Sequence, residues 1–220
     1  LDQNITDKKK EQKKLNFENT KKTQEIQVLD KIESLETSSP IYGIYDPEEN
    51  NFNLDMWSNT HGNEIKQVIK RINNIKLSSV AEKLFINTIL TYSHLPLNNM
   101  SEEEFLTLKV NWLIENNKDD LIENFLNKNK DFYNKEKAIQ YLVDQNIAKA
   151  NLKDGCKKSD FISKDIKDKY LEKFKIYCLI FNNKKNQAQL LFDILKEQGL
   201  SDKFFNNKIN FLLGISNKND

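Results

Sequence analysis

Three similar pentapeptides lie where one amphipathic stretch ends and the next begins. They read LIENN at 113–117, LVDQN at 142–146 and LIFNN at 179–183. Asn favours turns over helix interiors, and it readily adopts the left-handed conformation at a helix C-terminus. Each pentapeptide is therefore predicted to be the last turn of a helix that enters a tight bend, with a second helix directly after it.

The pentapeptides start 29 and 37 residues apart, and they predict bends near 116–119, 145–149 and 182–186. A repeat of about 30–40 residues built from two antiparallel helices is typical of tetratricopeptide-like proteins, in which each hairpin stacks on its neighbours. We predict an all-α fold of stacked antiparallel helical hairpins, a tetratricopeptide-like right-handed α-solenoid with an extended N-terminal arm. The full tetratricopeptide consensus is absent, so an irregular helical bundle is the alternative.

The composition divides the 220-residue chain into three parts. Residues 1–39 are polar and lysine-rich, which predicts a disordered tether. Residues 40–57 favour an extended arm, and residues 58–215 carry the helical period of the repeat domain. The apolar positions of the first part recur at a spacing that also allows a short amphipathic helix, at Ile26, Leu29, Ile32 and Leu35.

The arm combines extended and turn-forming residues. Phe52, Leu54 and Met56 alternate as a strand would, which predicts an extended arm or a loose hairpin against the helices. Its aromatic side chains form a candidate partner surface of Tyr42, Tyr45 and Trp57. The alternative is that these rings anchor an irregular arm to the core.

Capping patterns predict where several helices begin. Ser101 with Glu104, and Ser79 with Glu82, have the spacing of a capping box, and Ser58 or Thr60 is the expected N-cap of an earlier helix. The apolar stripes predict a buried core. Its expected members are Leu108, Trp112, Leu121, Phe125, Leu142, Phe174, Cys178, Leu191, Leu195, Phe205 and Leu212.

The sequence contains no pattern that is typical of catalysis. His61 and His94 lie far apart without a ligand-spaced neighbour, and the dense acidic run 102–104 is interpreted as a helix start. We therefore expect no catalytic, cofactor-binding or metal-ligating residues and no cofactor. The 34 Lys and Arg residues nearly balance 33 Asp and Glu residues. This balance argues against nucleic acid as a partner, and no apolar run is long enough to span a membrane.

The stretches IYGIYDPEENNFNLDMWSNT, YCLIFNNKKNQAQLLFDILKEQG and FFNNKINFLLG resemble the N-terminal part of an exported alphaproteobacterial helical-repeat family of unknown function. The similarity covers about residues 40–215. It implies a periplasmic location and a longer chain, and it implies no catalytic residue. A cytoplasmic location is the alternative.

The two cysteines fall on neighbouring helices of a stacked arrangement. Cys156 lies on the second helix of the middle hairpin, and Cys178 lies on the first helix of the next. A disulfide between them would require Cα atoms within about 7 Å, and it would persist in an oxidising compartment. The alternative is that both are free, buried thiols.

These features favour a non-enzymatic module that binds another protein or peptide. The alternative is an accessory domain of an envelope enzyme whose active residues lie outside this chain. Membrane-surface binding through the basic N-terminal segment is a weaker third hypothesis. A deep pocket with converging carboxylates or His61 would favour the enzyme, whereas a shallow groove would favour the module.

Overall fold

The computed structural model describes residues 40–96, 98–129 and 131–216, so the expectations for residues 1–39 lie outside it. The regular structure of the described residues is helical, and their few β-bridges are isolated. The helices are α1 Gly62–Ile72, α2 Ser79–Leu90, α3 Glu102–Glu115, α4 Asp119–Lys128, α5 Lys135–Ala148, α6 Leu152–Lys158, α7 Lys169–Phe181, α8 Lys185–Glu197 and α9 Lys203–Leu213, with short 3-10 helices at Glu48–Asn50 and Ser159–Phe161. The prediction of an all-α fold is confirmed for these residues.

Consecutive helices pack against each other in several places, including α4 with α5, and three of these pairs share one kind of connection, namely α3 with α4, α5 with α6, and α7 with α8. Each of these three pairs is joined by a bend of the same geometry. Its middle residue has a positive φ, at Asn117 (51°), Ala150 (54°) and Asn183 (59°). The next residue donates its backbone N–H to the carbonyl five positions back, as Lys118 does to Leu113 at 2.9 Å. This is the Schellman motif, which satisfies the last carbonyls of a helix.

The regular spacing of these bends differs from that of the pentapeptides. Asn117, Ala150 and Asn183 follow one another at intervals of 33 residues. The first and third predicted bends are correct, whereas the second lies at 149–151, slightly after the predicted 145–149, because Asn146 is helical and α5 continues to Ala148. Asn146 instead donates its side-chain amide to the Leu142 carbonyl at 2.8 Å. Its own backbone carbonyl accepts the Asn151 N–H, which is the hydrogen bond that closes the bend.

Burial follows the same interval of 33 residues. Positions related by this interval are buried in all three hairpins although their side chains differ in size. The buried sets are Phe105, Ala138 and Leu171; Val110, Val143 and Ile176; Ile122, Gly155 and Ala188; Leu126, Ser159 and Phe192; and Asn129, Ile162 and Leu195. Each hairpin therefore buries the same set of equivalent positions.

The buried apolar residues form two clusters, and α7 contributes to both. Phe174 and Cys178 belong to the larger cluster, which extends back to the arm, whereas Ile176 belongs to the cluster formed with α8 and α9. Most of the predicted core is buried. The exceptions are four leucines that are only half-buried, namely Leu108, Leu121, Leu191 and Leu212. In α3 the cause is the phase of the helix, whose buried face centres on Phe105, Leu106 and Val110.

Some predicted helix starts are displaced by one to three residues. The capping box of Ser101 and Glu104 is confirmed, with both reciprocal hydrogen bonds present. The N-cap of α2 is Ser78 and not Ser79, because the Ser78 hydroxyl accepts the Ala81 N–H at 3.3 Å. The N-cap of α1 is His61, since residues 54–60 are held in local turns.

The arm is extended only over its first residues. Tyr42 pairs with Ser93 and Tyr45 with Thr91, in the segment that follows α2. The alternation after residue 51 does not produce a strand. The backbone there closes short turns, such as that from Met56 N–H to the Asn53 carbonyl at 3.3 Å, so its groups are satisfied locally.

Candidate binding surface

The helices α3, α5, α7 and α9 are the first helices of successive units, and we call them the first-helix row. At two of the three junctions of this row, the N-cap residue of one helix is held by a side chain of the helix before it. Asn134 caps the start of α5 and donates its side-chain amide to the Thr107 hydroxyl of α3. Asp202, the N-cap of α9, accepts from Lys173 of α7. Thr107 and Lys173 lie six and five residues after the N-caps of their own helices.

A second set of contacts lies further along the same helices. A side chain nine or ten residues after one N-cap meets a side chain two or three residues after the next N-cap. The pairs are Asn111 with Lys137 at 2.7 Å, Asp144 with Tyr170, and Tyr177 with Phe205 in edge-to-face contact at 5.6 Å. The row is therefore held by side chains at recurring positions. Burial and the hydrogen bond to Asp144 raise the pKa of Tyr170.

A shallow groove lies between α1 and α3, with a volume of about 520 Å³. Its walls are joined by the ion pair of Lys66 with Glu104 at 2.6 Å and by the hydrogen bond of Asn73 to Glu115 at 3.0 Å. Trp112 contributes to its lining. The groove offers apolar and polar contacts of the kind that an extended or helical peptide uses.

A larger surface hollow of about 670 Å³ lies between the start of α5 and the segment before α7. Four carboxylates and two lysines contribute to its lining. They are Asp131, Lys135, Glu136, Asp165, Lys167 and Asp168. Asp168 is occupied as the N-cap of α7, accepting the Leu171 N–H at 2.8 Å, and Lys135 lies 3.8 Å from Asp131. In the described part of the chain, no group of His, Cys, Asp and Glu residues has the geometry of a metal site.

The aromatic residues proposed as a partner surface hold the arm to the helices. The Tyr42 hydroxyl donates to Glu102 at 2.6 Å, and Trp57 packs edge-on against Phe105 with 5.9 Å between ring centroids. Both rings, and that of Tyr45, are partly buried against the core. These contacts correspond to the anchoring alternative, in which the rings fix an irregular segment.

Two polar residues beneath the arm were not anticipated. Asn129 donates to the Gly43 carbonyl at 2.9 Å and accepts the Gly43 N–H at 3.2 Å. Lys109 is fully buried, donates to the Tyr42 carbonyl at 3.2 Å, and lies 4.4 Å from the centroid of the Phe105 ring. Burial lowers the pKa of Lys109 to about 7. In the sequence, Lys109 lies between the apolar residues of an inner stripe, which is a weak indication that it is buried.

The remaining candidate residues stay apart in the structure. His61 is the N-cap of α1, whereas His94 donates its backbone N–H to the Leu54 carbonyl at 2.8 Å. The lysine-rich part of the chain around residues 149–173 also pairs its cations with carboxylates, as Lys157 does with Asp154 and Lys158 with Glu123, each at 2.6 Å. These pairs reduce the positive charge of that segment.

The two cysteines meet across the junction of α6 and α7. A disulfide joins Cys156 to Cys178, with 5.2 Å between their Cα atoms, and both side chains are buried. This separation lies within the range that a disulfide requires.

Comparison with known proteins gives no match for the chain. No protein-family model, no curated protein and no solved structure matches it. Among the described helices, none is long and apolar enough to cross a membrane.

Proposed function

We propose that this protein is a non-enzymatic helical-repeat module that binds another protein or peptide. Its hairpins stack as a tetratricopeptide-like right-handed α-solenoid. The observation that carries the proposal is the recurrence of side-chain contacts along the first-helix row, which matches the bend interval of 33 residues. Nearest-neighbour stacking of this kind characterises solenoids, whose extended surfaces commonly bind other chains.

The groove between α1 and α3 and the exposed side chains of the row supply the contact surface. Asp144 and Tyr170 are exposed on α5 and α7, and Tyr170 presents both a ring and a hydroxyl. Tyrosine contributes a large contact area with few rotatable bonds, which suits it to binding surfaces. A bound peptide would lie across successive first helices.

The chemistry of Lys109 supports the module over the enzyme. An amine with a pKa near 7 is what a nucleophilic lysine needs, but this side chain has no exposed surface and is covered by the arm backbone. A substrate could reach Lys109 only if residues 42–43 left their position. The perturbed pKa is therefore explained by the way the arm is attached.

The location of the protein is part of the same proposal. We place it outside the cytoplasm, in the periplasm of the native cell, because a buried disulfide persists where the environment is oxidising. The resemblance to an exported helical-repeat family is consistent with this placement.

Site-specific photo-crosslinking tests the binding proposal. A benzoylphenylalanine residue is placed at Asp144 or Tyr170 of the row, and at exposed Asn124 or Leu190 of the second helices as matched controls. The full chain is then irradiated in its native cell. We expect an adduct of one recurring mass from both row positions and none from the controls. Equal labelling at all four positions, or no adduct at the row, would overturn the proposal.

A further inference from the structure

We infer that the outward face of α9 is a docking site for one further helix, which begins with an Asp N-cap and carries an aromatic residue two or three positions later. The helix belongs to a partner protein, and the inference rests on the proposed stacking function because it extends the first-helix row. Helices α3 and α7 each hold the N-cap residue of the next helix, all three earlier members hold a residue two or three positions beyond that N-cap, and α9 has side chains at the corresponding positions.

The capping contact defines the first requirement. Lys173 binds the carboxylate of Asp202 and also lies 5.0 Å from the centroid of the Phe205 ring, three residues further on. One lysine thus recognises both the N-cap and the aromatic residue of the following helix. On α9, Lys208 lies six residues after Asp202, the position that Thr107 occupies on α3.

The second contact defines the aromatic preference. Tyr177 lies nine residues after the N-cap of α7 and meets Phe205 of α9. Phe211 lies nine residues after the N-cap of α9. It can receive the aromatic residue of a docking helix in the edge-to-face geometry that Tyr177 offers to Phe205.

Exposure distinguishes α9 from α3 and α7. Thr107, Lys173 and Tyr177 are half-buried because the next helix covers them, whereas Lys208 is exposed and Phe211 is 41% exposed. The exposed stripe continues in both directions with Phe204 at 79% and Ile215 at 61%. An apolar stripe of this kind, continuous with the row, marks an interaction surface.

Charge determines the chemistry of the occupant. Helix α9 carries Lys203 and Lys208 and no acidic residue within its bounds. These lysines complement a helix whose first turn is acidic, and the N-terminus of a helix itself favours negative side chains. Two helix starts in this chain have an Asp N-cap of the required kind, at Asp168 and Asp202, and an aromatic residue follows each by two positions.

A peptide experiment tests the inference. The probe is a fluorescent peptide of residues 200–216 of this chain, stapled into a helix because an isolated helix of this length is marginal in water. Fluorescence anisotropy reports its binding to the full protein. We expect saturable binding that Lys208→Glu and Phe211→Ser each weaken by about tenfold or more, equivalent to about 1.4 kcal/mol. Leu190→Ser, at an exposed apolar residue of α8, should leave the affinity unchanged.

The probe is varied in parallel. Peptides with Asp202→Asn or Phe205→Ala should bind at least about fivefold more weakly than the parent peptide. This result would show that the protein recognises both the N-cap residue and the aromatic residue of the docking helix. Absence of binding, or equal binding by the Lys208→Glu protein, would overturn the inference. So would a dimer in sedimentation that Phe211→Ser dissolves, or binding to phosphatidylglycerol vesicles through α9, since the face would then serve a second copy or a membrane. Crosslinking at Asp144 and Tyr170 remains a separate readout, so the module can stand if this site fails.

Discussion

Asn129 and Gly43 lie 86 residues apart in the chain and exchange two hydrogen bonds, one in each direction. The Asn129 amide thereby pairs with the arm backbone as a neighbouring strand would. Gly43 allows this approach, because a Cβ atom there would lie 2.4 Å from the backbone nitrogen of Tyr92. The arm is thus fixed to the end of α4 by contacts that no local pattern specifies.

Replacing Asn129 with Ala should destabilise the protein by about 2–3 kcal/mol, because it leaves the buried Gly43 N–H and carbonyl unpaired. Chemical denaturation of the purified protein measures the change. Asn127→Ala, at an exposed position of α4, is the matched control and should lie within about 0.5 kcal/mol of the wild type. Similar values for both variants would show that the Asn129 bonds do not hold the arm.

Stability should rise with pH between about 7 and 9 through Lys109. Its pKa is about 7 in the folded protein and near 10.5 when exposed, so in this range the unfolded chain binds one more proton than the folded chain. The free energy of unfolding then increases with pH, by at most about 1.4 kcal/mol per pH unit from this residue. Above pH 10 the raised pKa of Tyr42 acts in the opposite sense, since the unfolded tyrosine loses its proton first.

Lys109→Met isolates this effect. The variant keeps the length of the buried side chain and removes the titrating amine, so the pH slope between 7 and 9 should flatten. Denaturant unfolding at pH 7.0, 8.0 and 9.0, with Lys128→Met as the exposed control, compares the slopes. An unchanged slope in Lys109→Met would mean that other groups cause the pH dependence.

Reduction of the Cys156–Cys178 disulfide should lower the stability by about 3 kcal/mol, because the bond closes a loop with a sequence separation of 22 in the unfolded chain. Melting curves with and without a reductant measure this, with the Cys156→Ala/Cys178→Ala variant as the reference that reductant cannot affect. Mass spectrometry after alkylation of the native protein gives the oxidation state. Two thiols that are alkylated without reductant would contradict the bond and the proposed oxidising location.

Ala150→Gly should stabilise the second hairpin by about 1 kcal/mol. Ala150 adopts a φ of 54°, a left-handed conformation that costs an L-residue with a Cβ about 1–2 kcal/mol. Thermal unfolding measures the gain. Asn117→Ala tests the reverse change at the equivalent position and should destabilise the first hairpin. A loss of stability in Ala150→Gly would show that backbone entropy outweighs the relief of strain.

Truncating Trp112 to Ala should destabilise the protein by roughly 3–5 kcal/mol, because the side chain is 2% exposed and packs edge-on against Phe85 at 4.9 Å. Val80→Ala, at 78% exposure on α2, is the control. Equal melting temperatures for the two variants would place Trp112 outside the cooperative core.

Sequence by itself determined the helices, because helix formation depends on neighbours three and four residues apart. The capping box at Ser101 and the bends at Asn117 and Asn183 were readable for this reason. The second bend was readable only approximately. Asn146 carries the usual signal, yet the left-handed residue is Ala150, whose conformation is imposed by the packing of α5 against α6.

Tertiary structure decided the features that join distant parts of the chain. Burial of Lys109, pairing of Asn129 with Gly43, and contact of Cys156 with Cys178 all depend on which helix faces which. Alternation at Phe52, Leu54 and Met56 indicated a strand, but a strand forms only where another backbone is available to pair with it. In this protein that backbone, the segment after α2, pairs with residues 42–45 instead, and long-range hydrogen bonding overrides the local pattern.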